Sequence, residues 1–268
     1  MSPFLLAALV GYPVASVCAH LHVFTGSERA RHWAPWALGF AAGAHTLEIG
    51  RTALSEHVCP FMAAGPTVSF IAWLLALFQL FLYRRSRWEA TGAVLLPITF
   101  IALFYASLAP RQNGLSTELM RDPLFSPHVL AAILGFCSLA LAFGAAILYL
   151  AEQGLLKRKQ AIKFSRLPPL TSLGLAAHRL AVVGFSLLTL GLGSGILWAT
   201  REGWPQWYLE PKALTTTIAW LVYAAYVAQN GLRGWRGRRS CYVLIAGFAL
   251  VLVAYFGVNL LSPGQHRF

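Results

Sequence analysis

The stretch HVLAAILGFCSLALAFGAAILYL, residues 128–150, decides the fold class because it contains no Asp, Glu, Lys or Arg. An α-helix needs about 20 apolar residues to cross the hydrocarbon core of a lipid bilayer. Within that core every backbone N–H and C=O must find its partner inside the segment, and a helix achieves this. Residues 128–150 therefore predict a membrane-spanning helix.

Seven further apolar segments extend this prediction to the whole chain. Of the 268 residues, 57% are hydrophobic and only 11% are charged, a composition that excludes a soluble enzyme and a disordered chain. The sequence predicts an all-α, polytopic membrane helix bundle that forms one integral-membrane domain over residues 1–268. The first segment is also a candidate signal peptide, although it lacks the positively charged start of such peptides. The eight predicted spans are about 3–24, 34–54, 66–83, 91–109, 128–150, 176–199, 213–230 and 241–261.

The basic residues predict how the bundle is oriented. The net charge of +12 comes mostly from Lys and Arg in short loops between apolar runs. This pattern marks the cytoplasmic side of a membrane protein and does not indicate a nucleic-acid partner. The odd-numbered loops hold most of the basic residues, so we expect both termini outside (N-out and C-out) in a bacterial inner membrane. These residues are Arg29, Arg31, Arg84, Arg85, Arg87, Lys157, Arg158, Lys159, Lys163, Arg166, Arg233, Arg236, Arg238 and Arg239.

Ionisable residues inside the spans are the first functional candidates, because a charge in lipid is costly. His45, Glu48 and Arg51 follow one another at three-residue steps in the second span, which keeps neighbours close on the helix. Glu48 and Arg51 either neutralise each other or contribute to a binding site. His45 has no such partner, and we treat it as a candidate ligand.

Two histidines are predicted at the outer surface beside an aromatic loop. His128 begins the fifth span, His266 follows the eighth, and loop 6 contains Trp204, Trp207 and Tyr208. Such aromatic residues are typical of the belt at a membrane interface. Together with two histidines they also suit a porphyrin held without covalent bonds, whose iron takes two axial nitrogens while the ring stacks on indole. The basic side chains available to its propionates are Lys212, Arg201 and Arg267.

Several stretches resemble the cytochrome c assembly family of haem-handling membrane proteins, which includes CcsA, CcmC and the shorter HemX and YpjD-like members. The length of the chain fits the short members better, and the N-terminal half is matched only through His45 and the EIGR run that contains Arg51. The stretches that carry the resemblance are HVLAAILGFCSLALAFGAAILYL (128–150), HRLAVVGFSLLTLGLGSGILWA (178–199), EPKALTTTIAWLVYAAYV (210–227), GWRGRR (234–239) and YFGVNLLSPGQH (255–266).

The resemblance implies non-covalently bound haem b at two places. It implies that His128 and His266 are axial ligands of an external haem that lies against loop 6. It also implies that His45 and His178 match a pair that binds haem within the membrane in larger relatives. That second pairing requires the sixth helix to begin well before residue 178, which the apolar run from Leu170 allows. Apocytochrome c or another assembly protein is the implied partner.

The aromatic loop departs from the family signature W-G-x-x-W-x-W-D-P-K-E. Trp207 keeps one tryptophan, Leu209 replaces another, and Trp204 lies one place out of register. Glu210 stands for the aspartate and Ala213 for the glutamate. This difference leaves open whether haem is presented to an apocytochrome, and whether the protein is an enzyme with turnover. Ligation and protection of haem are the expected chemistry.

Two other functions stay open at this point. A HemX-like membrane regulator would act on an enzyme of tetrapyrrole synthesis through the basic loop 5. A transporter of another small solute would use Glu48 and Arg51 as a substrate or proton site, but the chain shows no inverted repeat or broken helix.

Overall fold

The structure is a computed structural model that describes residues 1–55, 64–85, 87–109, 123–157, 166–203, 206–233 and 237–253. These residues form eight α-helices and no β-strand, which confirms the predicted all-α fold. In chain order the helices are α1 (Pro3–Thr25), α2 (Glu28–Ser55), α3 (Ala64–Leu82), α4 (Gly92–Leu108), α5 (Phe125–Lys157), α6 (Leu170–Arg201), α7 (Pro211–Arg233) and α8 (Arg238–Leu252).

Each predicted span corresponds to one of these helices. Five of the helices, α1, α3, α4, α5 and α6, are long and apolar enough to cross a membrane, with α4 extended by the 3₁₀ turn Trp88–Thr91. Helix α6 begins at Leu170, about two turns before His178. The early start that the resemblance requires is therefore present. That all eight helices cross the membrane, and in which direction, stays a prediction.

The chain divides into two compact units, which we describe separately. The first contains Met1–Leu115 and Ala151–Ser172, and therefore α1 to α4. The second contains Ser116–Leu150 and Leu173–Phe268, and therefore most of α5 and α6 together with α7 and α8.

In the first unit, α1 and α2 approach each other through small residues. A Cβ atom placed on Gly11 would lie only 2.7 Å from the Cβ of Ala41. Ala8 and Ala15, one turn to either side of Gly11, are fully buried. Because lipid tails are as apolar as leucine, close van der Waals contact through small side chains is what favours such pairing in a membrane.

One end of the first unit is closed by a polar cluster around Glu89. The Glu89 carboxylate accepts a hydrogen bond from Nε of Arg31 at 2.9 Å and lies 3.5 Å from Nε2 of His22. It also raises the pKa of Arg31 above its usual range. Beside it, Thr91 donates to Oε1 of the fully buried Gln79 at 2.7 Å. The cluster connects α1, α2 and α3 to the turn before α4, at the end predicted to be cytoplasmic.

In the second unit, α5 and α6 pack through glycines and α8 is anchored by aromatic rings. A Cβ on Gly184 of α6 would lie 2.6 Å from Leu139 of α5. Phe248 of α8 contacts Phe143 of α5, with ring centroids 4.8 Å apart. This packing places the first turn of α5 against the C-terminal half of α6, where the candidate site begins.

Candidate functional site

His128 lies in the first turns of α5, with its ring against α6. Its Nδ1 is 2.8 Å from the carbonyl oxygen of Gly191. A carbonyl oxygen only accepts hydrogen bonds, so Nδ1 carries a proton, and in the neutral imidazole the lone pair is then on Nε2. Metal-binding histidines show this arrangement, because a fixed hydrogen bond at one ring nitrogen sets both the tautomer and the ring orientation.

The His128 ring fits closely against a glycine of α6. A Cβ placed on Gly195 would lie 2.8 Å from Cε1 of His128. Gly191, one turn earlier on α6, supplies the accepting carbonyl, so Gly191 and Gly195 both contact the same imidazole. The indole of Trp198 follows on the same side, with its centroid 6.3 Å from that of the imidazole. Trp198 contacts Phe125 in turn, with centroids 5.7 Å apart.

The aromatic loop is described in part. Trp207 and Tyr208 lie in the 3₁₀ turn Trp207–Leu209 directly before α7, with ring centroids 6.0 Å apart. Trp207 is half-buried and Tyr208 is exposed, so this turn presents an aromatic surface. Trp204, His266 and the side chain of Lys212 lie outside the described residues.

His45 is fully buried in the first unit and uses both ring nitrogens. Its Nδ1 lies 2.9 Å from the hydroxyl of Tyr12 on α1, and its Nε2 lies 2.8 Å from the hydroxyl of Ser69 on α3. The imidazole of α2 thus links three helices. As an iron ligand, His45 would have to exchange its bond to Ser69 for a bond to the metal.

Glu48 and Arg51 form a bidentate ion pair on α2. Nε of Arg51 donates to one carboxylate oxygen at 3.1 Å and Nη2 donates to the other at 2.8 Å. Ser2 also donates its hydroxyl to Glu48, which is buried. Mutual neutralisation, one of the two alternatives for this pair, is what the structure shows. A role of Arg51 toward haem stays a prediction.

His178 lies on α6 in the second unit and is half-buried. Its Nδ1 is 3.3 Å from the hydroxyl of Tyr226 on α7, and the two ring centroids are 6.0 Å apart. His45 belongs to the first unit and His178 to the second, and His266 lies outside the described residues. Both predicted pairs of iron ligands therefore stay predictions.

Sequence reasoning missed the groups that hold the histidines. These are the hydroxyls of Tyr12, Ser69 and Tyr226 and the carbonyl of Gly191. One signal was available, since a tyrosine inside an apolar span needs a partner for its hydroxyl. The partner itself is not readable, because all of these contacts join different helices.

The comparison with known proteins adds an independent observation. A model of the family described as Cytochrome C assembly protein matches residues 66–266, about three quarters of the chain. The chain belongs to the cytochrome c assembly protein family. Family membership and the apolar helices make it a multi-pass membrane protein of cytochrome c biogenesis. The family expected from the sequence is thereby confirmed.

Two relatives of the same family can be aligned with most of this chain. The cytochrome c biogenesis protein CcsA of Prochlorococcus marinus (strain NATL2A) is 32% identical, over 75% of this chain and 74% of the relative. The CcsA protein of strain CCMP1986 / NIES-2087 / MED4 is 29% identical, over 82% of this chain and 77% of the relative. The range matched by the family model includes His128, His178 and His266, and it excludes His45 and Arg51.

Proposed function

We propose that this protein binds haem b without covalent bonds and handles it for cytochrome c maturation, in the inner membrane of a bacterium. The observation that carries the proposal is the hydrogen bond between Nδ1 of His128 and the carbonyl of Gly191. It leaves the neutral imidazole with its lone pair on Nε2, the form in which histidine ligates iron. His128 and His266 are the proposed axial pair at the outer face.

The surroundings of His128 fit a flat, largely apolar cofactor. Gly195 leaves room for the imidazole itself, and Trp198 adds an indole beside it. Trp207 and Tyr208 supply the exposed aromatic surface on which a porphyrin ring stacks. An iron held by two histidines has both axial positions filled, which favours electron transfer or storage over O₂ chemistry.

Each residue of the candidate site has a defined task in the proposal. The Gly191 carbonyl keeps the proton on Nδ1 of His128 and prevents the ring from turning. Gly195 allows α5 and α6 to approach until that hydrogen bond forms. The aromatic turn shields one face from water, and the side chain of Lys212 is proposed to pair with a propionate. His45 and His178 are the proposed ligands within the membrane, with Arg51 close to the former in the chain. Delivery to apocytochrome c is the proposed purpose.

Absorption spectroscopy tests this proposal directly. The full chain is purified in detergent from a haem-replete host, as wild type and with His128→Ala, His266→Ala or His32→Ala. His32→Ala is the matched control, because this histidine is exposed in α2 at the opposite, predicted cytoplasmic side. We expect a Soret band with sharp reduced α and β bands in the wild type and the control, and their loss or shift in the other two variants. A wild type that neither contains haem nor takes up hemin would contradict the proposal.

A further inference from the structure

Each described histidine of the proposed sites is held at Nδ1 by a group on a neighbouring helix. For His128 the partner is the Gly191 carbonyl, as described above. For His45 and His178 the partner is a tyrosine hydroxyl, that of Tyr12 at 2.9 Å and that of Tyr226 at 3.3 Å. Both tyrosines are almost fully buried, with exposed fractions of 0% and 3%. Each unit therefore contains one histidine whose Nδ1 lies beside a buried tyrosine hydroxyl of a neighbouring helix.

In the first unit, the second ring nitrogen of His45 also has a polar neighbour. Nε2 of His45 lies 2.8 Å from the hydroxyl of Ser69, and His45 itself has no exposed surface. Both tautomers of His45 can form these two hydrogen bonds. In the tautomer that suits metal ligation through Nε2, Ser69 donates to Nε2 and Nδ1 donates to the oxygen of Tyr12. In this tautomer Nε2 is the nitrogen with the lone pair. Because the bundle interior has a low dielectric constant, these hydrogen bonds are stronger than they would be in water.

We propose that Tyr12 is a positioning residue for His45 and that Ser69 occupies the ligating nitrogen while no haem is bound. This inference rests on the proposed function. Ligation through Nε2 requires the proton on Nδ1, and the Tyr12 oxygen at 2.9 Å is placed to accept that N–H and to fix the ring, so Tyr12 supports ligation. Ser69 competes for the same Nε2 and opposes ligation. The two hydroxyls flank one imidazole, yet they act on haem binding in opposite directions.

Hemin titration of the apoprotein separates these roles. The full chain carries His128→Ala, which removes the proposed outer site, and is then combined with Tyr12→Phe, Ser69→Ala or Tyr83→Phe. We expect Tyr12→Phe to weaken hemin binding by about 10-fold, the lower end for partners of metal-bound histidines. We expect Ser69→Ala to strengthen it by about fivefold, the worth of one hydrogen bond. Tyr12→Phe should also shift the reduced α band of the remaining haem.

Tyr83→Phe is the matched control for the loss of a phenol hydroxyl. Tyr83 is a largely buried tyrosine of the same unit, and its hydroxyl makes no hydrogen bond within the described part of the chain. Hemin binding and the α band should therefore not change in this variant. The midpoint of thermal unfolding in detergent, measured for each apoprotein, reports any general damage to the fold.

Tyr12→Phe and Ser69→Ala are expected to change hemin binding in opposite directions, and this difference is what the titration tests. If Tyr12→Phe and Ser69→Ala both weaken binding in proportion to their loss of thermal stability, the two hydroxyls are merely structural and the inference is wrong. It is also wrong if the His128→Ala chain binds no hemin while the wild type binds one, although the outer site would then stand. A wild type that takes up no hemin at all contradicts the proposed function itself, so the two failures are distinguishable.

Discussion

Among single residues of the first unit, His45 and Glu48 are buried polar side chains that have polar partners. Glu48 is the clearest case, because a carboxylate with only 8% exposed surface is tolerated in this bundle through its bidentate bonds to Arg51. The pair resembles buried ion pairs in general, which contribute little net stability but are costly to break. Its role in the described structure is therefore compensation of charge.

Removal of one member of this pair should destabilise the fold. Arg51→Met leaves the buried carboxylate of Glu48 without its guanidinium and should cost about 3 kcal/mol of the free energy of unfolding. Adding Glu48→Gln should restore most of the loss, since the amide carries no charge. Glu28→Gln is the control, because the Glu28–Arg31 pair is exposed and should contribute less than about 1 kcal/mol. Unfolding in mixed detergent measures all three variants; equal losses for Arg51→Met and Glu28→Gln would contradict the prediction.

At the level of helices, α5 and α6 come close at two glycines of α6. Gly191 and Gly195 of α6 face α5, with the backbone of Ala132 and the ring of His128 as neighbours. Gly39 and Gly43 of α2 have the same spacing, but no described atom lies within 4 Å of a Cβ placed on either. The spacing alone therefore does not reveal which face of a helix is packed, because lipid and protein are equally apolar neighbours.

Gly195→Ala should disturb the site of His128, whereas Gly193→Ala should not. A methyl group at position 195 would lie 2.8 Å from Cε1 of the imidazole, while no atom of the described residues lies within 4 Å of a methyl group at position 193. Alanine favours helix over glycine by about 1 kcal/mol, so helix propensity cannot explain a loss at position 195. We expect Gly195→Ala to lose the haem of the outer site, as His128→Ala does, and Gly193→Ala to keep the haem content of the wild type. Pyridine haemochrome assay gives the haem content, and similar values for the two variants would disprove the close fit.

The whole molecule has a charge asymmetry that predicts its orientation. Lys and Arg concentrate in the odd-numbered loops, and the polar cluster of Glu89, Arg31 and His22 lies at the same end of the first unit. His128 lies in the first turn of α5, at the predicted outer end of that helix. Orientation therefore decides on which side of the membrane the proposed haem site lies.

Reporter fusions measure this orientation. Alkaline phosphatase fused after Phe268 should be active, since the C-terminus is predicted outside, and fused after Lys157 it should be inactive. Green fluorescent protein at the same two positions should give the reverse pattern. An inactive phosphatase after Phe268 together with an active one after Lys157 would mean that the topology is inverted. His128 would then face the cytoplasm.

The helices and the family could both be predicted from local patterns of residues. In a bilayer, a run of about 20 apolar residues forms a helix, because the helix satisfies every backbone N–H and C=O within the segment. This property is local, so the span of α5 could be predicted from residues 128–150 alone. The candidates His45, His128 and His178 were readable for a similar reason, because polar groups are rare in such runs.

The contacts of these histidines, in contrast, depend on how the helices pack. Tyr12, Ser69 and Gly191 lie 33, 24 and 63 residues away from their histidines in the chain, and each is on another helix. Which helix faces meet depends on the rotation of each helix about its axis and on the packing of small side chains, as at Gly195. The sequence does not show these faces, because lipid-facing and protein-facing surfaces have nearly the same composition. Hydrogen bonds between helices then hold each imidazole in one orientation, a property that no local pattern of residues carries.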